Sequence, residues 1–225
     1  MLRAALALMM VGTFAAPAFA QEWWMPWAQP GYRAPSYSNP GYSQGEYGPR
    51  ERAHGQALMS GGPRPNVSPA SPDRISFPSS YAPGTVVIDT SGRRLYLVQS
   101  PSQALVYPIS VGREGFQWTG TERISRVANW PDWNPPEEMR RRQPYLPVRM
   151  TGGVYNPLGA KALYLGNTLY RIHGTDDPRT IGRATSSGCF RMTNGHVTDL
   201  SRRIGIGTTV VVVNRLSGRT ARIDD

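Results

Sequence analysis

Two strand-like runs, Val86-Val87-Ile88-Asp89 and Arg94-Leu95-Tyr96-Leu97-Val98, flank the polar tetrapeptide Thr90-Ser91-Gly92-Arg93. Apolar, β-branched runs on either side of a short turn-forming segment predict a β-hairpin. Apolar runs at 105–111, 162–165 and 168–172 predict three more strands, the last two joined at Gly166-Asn167. The closing run 208–213 is continuous and β-branched, which predicts a strand buried on both faces. Helical spacing is clear once: Val197, Leu200 and Ile204 share a face, Asn194 is placed to cap the start and Gly205 to end it. Residues 81–215 therefore read as one mainly β domain with one or two short helices, long enough to bury a real core.

The pattern stops outside that domain. Residues 1–20 begin with the basic Met1-Leu2-Arg3, continue through an Ala-, Leu- and Met-rich stretch, and end in Ala18-Phe19-Ala20. Such an arrangement predicts a signal peptide cleaved before Gln21. Its apolar stretch is short for a membrane anchor, no cysteine follows it to take a lipid, and no later segment has the apolar length to span a bilayer. The expectation is an exported protein of the periplasm or cell envelope, peripheral to the membrane. Residues 21–80 are rich in Pro, Gly, Ser, Tyr and Arg, with Pro30-Gly31-Tyr32 repeated as Pro40-Gly41-Tyr42. So little apolar surface cannot offset the entropy of ordering, so this segment is expected to be a disordered tether. Its Trp23, Trp24 and Trp27 are either a docking patch or an unpartnered aromatic start. Residues 216–225 are expected to form a tail.

Within the domain, the stretch 112–153 looks like a long insertion, with Trp118, Trp130 and Trp133 set among prolines and followed by Arg140-Arg141-Arg142. Two readings stand: a lid or substrate wall, which makes the three tryptophans substrate-binding candidates, or a satellite core covering one sheet face. The formal net charge of +10 is carried by arginine, with Lys161 the only lysine. In an exported chain this favours attraction to anionic envelope polymers. No nucleic-acid-binding motif accompanies the diffusely spread arginines, so nucleic acid is not expected as a partner.

The only cysteine is Cys189, within Ser186-Ser187-Gly188-Cys189-Phe190-Arg191. Outside the cytoplasm a single cysteine cannot close an intramolecular disulfide, so it is either a small buried residue or a working thiol. His173 lies sixteen positions earlier, in Tyr170-Arg171-Ile172-His173-Gly174-Thr175, and an imidazole is the base a nucleophilic thiol needs. His173 ends a predicted strand and Cys189 lies in the loop before the helix, where the two can meet at a cleft mouth. The small residues Ser187 and Gly188 would let backbone N–H groups approach a carbonyl oxygen and stabilise the oxyanion of acyl transfer. His196 reads as a helix residue, His54 as part of the tether, and Asp176-Asp177-Pro178 as a turn. A metal site from His173, Cys189 and His196 lacks a second cysteine and paired-ligand spacing, so neither metal nor cofactor is expected.

Arg171-Ile172-His173-Gly174-Thr175, Ile181-Gly182-Arg183, and Ser186-Ser187-Gly188-Cys189-Phe190-Arg191-Met192 with Asn194 resemble the signature of the L,D-transpeptidases, the YkuD-type catalytic domain. Asn156-Pro157-Leu158-Gly159-Ala160, Tyr164-Leu165-Gly166 and Gly207-Thr208 add to the resemblance, which covers residues 81–214. It implies a YkuD-like β-sandwich in which Cys189 attacks the third-residue carbonyl of a peptidoglycan stem peptide and expels D-alanine. His173 would be the base, oriented by the Gly174 C=O, and Arg191 would hold the site or a substrate carboxylate. The acceptor would be an amine of a neighbouring stem or of an envelope protein. The alternatives are an L,D-carboxypeptidase acting with water and a non-catalytic peptidoglycan-binding module. Many members carry histidine where this chain has Ser187, which removes a ring donor near the thiol but leaves the base position matched.

Overall fold

The computed structural model describes residues 57–216. The signal peptide, the Trp23, Trp24 and Trp27 cluster, His54 and residues 217–225 of the tail lie outside the described residues. The predicted hairpin forms: β3 (Val86–Asp89) pairs antiparallel with β4 (Arg94–Ser100) through a turn in which Arg93 takes a positive φ of 53°. β4 continues the meander into β5 (Gln103–Pro108). Alternation then sorts the side chains: Val86, Ile88, Leu95, Leu97, Leu105 and Tyr107 face the central core, and Val87, Tyr96, Val98, Ala104 and Val106 the opposite side.

That second face is covered by a segment expected to be disordered. Residues 57–80 are ordered: β1 (Leu58–Met59) pairs parallel with β8 (Arg149–Met150), and β2 (Asp73–Ser76) pairs antiparallel with β5. Phe77 is fully buried and stacks on Tyr96 with ring centroids 4.8 Å apart. The tether boundary at Ser80 is therefore corrected, and the domain's packed chain starts before Tyr81. The physical reason is that β2 is an edge strand of mostly polar sequence, Asp73-Arg74-Ile75-Ser76, bound by ladder hydrogen bonds and by one large anchor after it.

The principal sheet has nine strands. β13 (Thr209–Val213) runs parallel to β3 and antiparallel to the first part of β7 (Gly120–Asn129). From Ile124 onward, with an irregularity between Ile124 and Arg126, β7 pairs with β9 (Lys161–Leu165), which pairs with β10 (Arg171–His173), and β10 pairs parallel with β12 (Phe190–Arg191). The long β7 thus joins both halves, whose apolar faces share one core with Val197 and Leu200 of α2 (Asn194–Arg203). The closing strand differs from expectation: Val210 and Val212 are buried, while Thr209, Val211 and Val213 are half-buried, so its two faces are unequal.

The expected insertion contributes β7 itself, then α1 (Glu137–Arg142) and β8. Trp133, Met139, Leu146, Met150 and Leu158 form a small second core, with Met59 and Tyr155 against it. Arg141 and Arg142 pair with Glu137 and Glu138 one helical turn away. Between β6 (Val111–Gly112) and its partner β11 (Ala184–Ser186) runs a short separate ladder that brings the cysteine loop onto the domain. Among the described residues no helix is long and apolar enough to cross a membrane.

Candidate active site

Ile172 enters the central core, so the strand pleat turns its neighbours Arg171 and His173 to the opposite face. Phe190 does the same on β12, turning Cys189 and Arg191 that way. Ile172 pairs with Phe190 and His173 with Arg191 in parallel register. Cys189, one residue before Phe190, is thus level with Arg171. The thiol and the imidazole stand on one face of neighbouring chain segments, two residues out of step.

His173 is buried, with 4% of its surface exposed. Its Nδ1 lies 2.6 Å from the Gly174 carbonyl oxygen, a contact that calls for the proton on Nδ1 and leaves the lone pair on Nε2. Burial pushes the ring's pKa down to about 3; the Arg191 charge adds to the shift and the Gly174 hydrogen bond opposes it. The imidazole is consequently neutral near pH 7, the state in which it can accept a proton.

The carbonyl that orients it is itself fixed. The Gly174 N–H donates to Lys161 O (2.9 Å), and Asn194 Oδ1 accepts from Ala160 N–H (2.9 Å) and Thr175 N–H (3.2 Å). A Cβ on Gly174 would stand 2.2 Å from Asn194 Oδ1, so glycine is needed for this approach. Asn194 was expected to cap α2. The cap is Thr193, whose hydroxyl accepts from His196 N–H (3.1 Å), and Asn194 instead ties two loops together. His196 is part-buried on α2 and packs edge-on to Tyr107, with centroids 5.7 Å apart.

Cys189 is part-exposed, and its thiol donates toward Leu169 O at 3.6 Å. Ser186 Oγ accepts from Gly188 N–H (3.2 Å) and donates to Cys189 C=O (2.5 Å), which sets the turn into β12. The Gly188 N–H, considered above as an oxyanion donor, thus already has an acceptor. Gly188 takes φ 111°, and a Cβ there would come within 2.8 Å of the Tyr170 ring. Tyr170 stacks on Trp118 at 4.9 Å and 17°. Ser187 Oγ is buried without a hydrogen-bond partner among the described residues.

Arg191 is buried at 6% exposure, with the Asp176 carboxylate as its strongest electrostatic support. Burial pushes the Asp176 carboxyl up to about 7 against the pull of Arg191. Asp176 keeps part of its surface open, so solvent moderates that effect. Asp177 forms the expected turn by accepting from Arg179 N–H at the head of a short 3-10 helix, Pro178–Thr180.

The three tryptophans separate. Trp118 lies beside the cysteine turn through Tyr170, Trp133 belongs to the second core, and Trp130 donates its indole N–H to Pro65 O (3.3 Å). Leu169, Tyr170, Ser186 and Asn194 are site residues that sequence reasoning did not single out for these roles. Tyr170, Ser186 and Asn194 stood within the motif segments quoted above, and Leu169 directly before one of them.

A part-exposed thiol on the same face of adjoining segments as a neutral imidazole, itself anchored by a backbone carbonyl, is an arrangement suited to nucleophilic acyl transfer. The chain belongs to the YkuD family: residues 83–212 match the L,D-transpeptidase catalytic domain. It is 31% identical over 153 residues to the probable L,D-transpeptidase ErfK/SrfK of Escherichia coli (strain K12), covering 64% of this chain and 48% of that protein. It is 30% identical over 151 residues to the probable L,D-transpeptidase YbiS of the same strain, with 64% and 48% covered. This chain thus spans about half the length of these relatives. A crystal structure from Brucella melitensis, named as a probable carnitine operon oxidoreductase, is 44% identical, with 63% of this chain and 92% of that one covered and a TM-score of 0.43.

Proposed function

We propose that this protein is a peptidoglycan L,D-transpeptidase of the cell envelope, exported and free of cofactor. The observation that carries the reading is the placing of Cys189 and His173 on one face of adjoining segments, with the His173 ring anchored on Gly174 C=O. Cys189 Sγ attacks the carbonyl of the third residue of a tetrapeptide stem while His173 Nε2 takes the thiol proton. The C–N bond to D-alanine breaks, and the leaving amine receives that proton. An acceptor amine, from another stem or an envelope protein, attacks the thioester and frees the thiol. The oxyanion is assigned to the Cys189 N–H, since Ser186 occupies the Gly188 N–H. Arg191, enclosed with Asp176, holds the charge balance behind His173 and is too buried to reach out to a substrate carboxylate.

The test is mass spectrometry of the products formed from defined tetrapeptide stems with and without an acceptor amine. A cross-linked product that needs the amine supports the transpeptidase. Tripeptide alone, at equal rate in both reactions, would replace it with the carboxypeptidase, and bound but unchanged stems would leave a binding module.

A further inference from the structure

The row of side chains that begins at Cys189 continues across the sheet. Level with it stand Arg171 on β10, Tyr164 on β9 and Arg126 on β7, through the registers Arg171 with Tyr164 and Tyr164 with Arg126. Their neighbours Ile172, Leu163, Leu165 and Val127 pack into the central core, so the row projects from the face that carries the thiol. Over the Arg171–Tyr164–Arg126 part of the row lies a cavity of about 300 Å³, walled by those three residues, by Asp132, and by Trp133 and Leu158 of the second core.

Among the described residues no acid forms an ion pair with the arginines of this cavity. The Arg126 guanidinium carbon lies 3.7 Å and that of Arg171 5.1 Å from the centre of the Tyr164 ring. Stacking on the ring favours each cation, but the two repel each other. Arg171 Nε is buried without an acceptor among the described residues. The acid on the cavity wall, Asp132, is engaged by Arg149 and lies 3.9 Å from Arg64. The two guanidinium groups, from the strands on either side of Tyr164, line one space, and each offers the paired N–H donors that match a carboxylate's oxygens. With about 4.8 Å between strands, the cavity extends from one to three strand spacings from the thiol's segment, within reach of a peptide whose carbonyl lies at the thiol.

We propose that this cavity is a carboxylate-binding subsite for the donor peptide, in which Arg171 and Arg126, stacked on Tyr164, take a free carboxylate of the peptide that Cys189 attacks. The inference rests on the acyl-transfer reading above and adds to it what the donor must carry. Two groups share this chemistry: the terminal carboxylate of the departing D-alanine, and a side-chain carboxylate where the third residue is a diamino diacid.

The test titrates full-length Cys189→Ala protein with three tetrapeptide stems containing such a diacid: both carboxylates free, the terminal one amidated, or the side-chain one amidated. Amidating the carboxylate that occupies the cavity is expected to weaken binding about ten- to a hundredfold, as for loss of a charged hydrogen-bonded pair. The peptide affected identifies the source. Adding Arg126→Gln or Arg171→Gln should shrink that ratio, and Arg→Lys should restore part of it. Equal affinity for the three peptides overturns the proposal without any arginine variant, and so does discrimination that survives both Gln substitutions. Wild-type protein is incubated in parallel and the mass of Cys189 measured. Discrimination without an adduct contradicts the acyl-transfer reading and leaves the subsite standing; an adduct without discrimination does the reverse.

Discussion

At the residue scale, the proposed chemistry turns on keeping His173 neutral. Its folded pKa of about 3 lies below the ordinary 6.5, so on acidification the unfolded chain binds the proton first. This contribution to stability is present above about pH 6.5 and is lost as pH falls toward 3. Denaturant unfolding of wild type and His173→Gln at neutral pH and at about pH 4.5 should show the difference between them moving in favour of the variant on acidification; a constant difference would show an unperturbed ring. For the same reason single-turnover acylation should show no acid limb centred near the ordinary imidazole value, and a midpoint at 6.5 would contradict the neutral base. Ser187 is a second case. Its hydroxyl is buried without a hydrogen-bond partner among the described residues, so Ser187→Ala removes no hydrogen bond seen there. The variant should unfold within about 0.5 kcal/mol of wild type and acylate within about threefold of its rate. A tenfold loss of rate at unchanged stability would assign the hydroxyl a role in the reaction.

At the element scale, the segment before Tyr81 separates into parts with different consequences. β2 and Phe77 close the outer face of the β3–β4–β5 meander, and Phe77 has none of its surface exposed. Phe77→Ala should cost about 3–5 kcal/mol in urea unfolding, from lost burial plus the cavity left behind. Deleting residues 21–56 should leave the unfolding midpoint near wild type, whereas deletion through Ser80 should lower it sharply; equal midpoints would remove β2 from the cooperative unit. The difficulty of seeing this from sequence is specific. Ile75 is the only apolar residue of β2, and an edge strand draws much of its hold from backbone bonds that leave no hydrophobic pattern. β7 was hidden for a related reason. Its sequence Gly-Thr-Glu-Arg-Ile-Ser-Arg-Val-Ala-Asn is polar because one face is open, though it joins both halves of the sheet. By contrast β3, β4, β9 and α2 announced themselves through apolar runs at strand or helix spacing.

At the scale of the whole molecule, the site is an outcome of sheet order. His173 and Cys189 were legible because a lone thiol, an imidazole and the motifs around them are written in the sequence. Their support was not: Asn194 tying the loops, Tyr170 lying over Gly188, and the row reaching Arg126 depend on which strands become neighbours. Since the residues of β7 were read as part of the 112–153 insertion, that row could not be anticipated. Arginines outnumber the acids available to them, so while some are neutralised in pairs such as Arg203 with Asp199, Arg126 and Arg171 line the cavity on the thiol's face without an ion-pair partner among the described residues. The central claim is that Cys189 becomes the acyl carrier. Intact-protein mass spectrometry of wild type, Cys189→Ala and His173→Gln, quenched soon after mixing with a tetrapeptide stem, tests it most directly. The expected result is a wild-type adduct equal to the stem minus D-alanine, mapped to Cys189, absent from Cys189→Ala and formed far more slowly by His173→Gln. Release of D-alanine by folded Cys189→Ala at the wild-type rate would contradict the account.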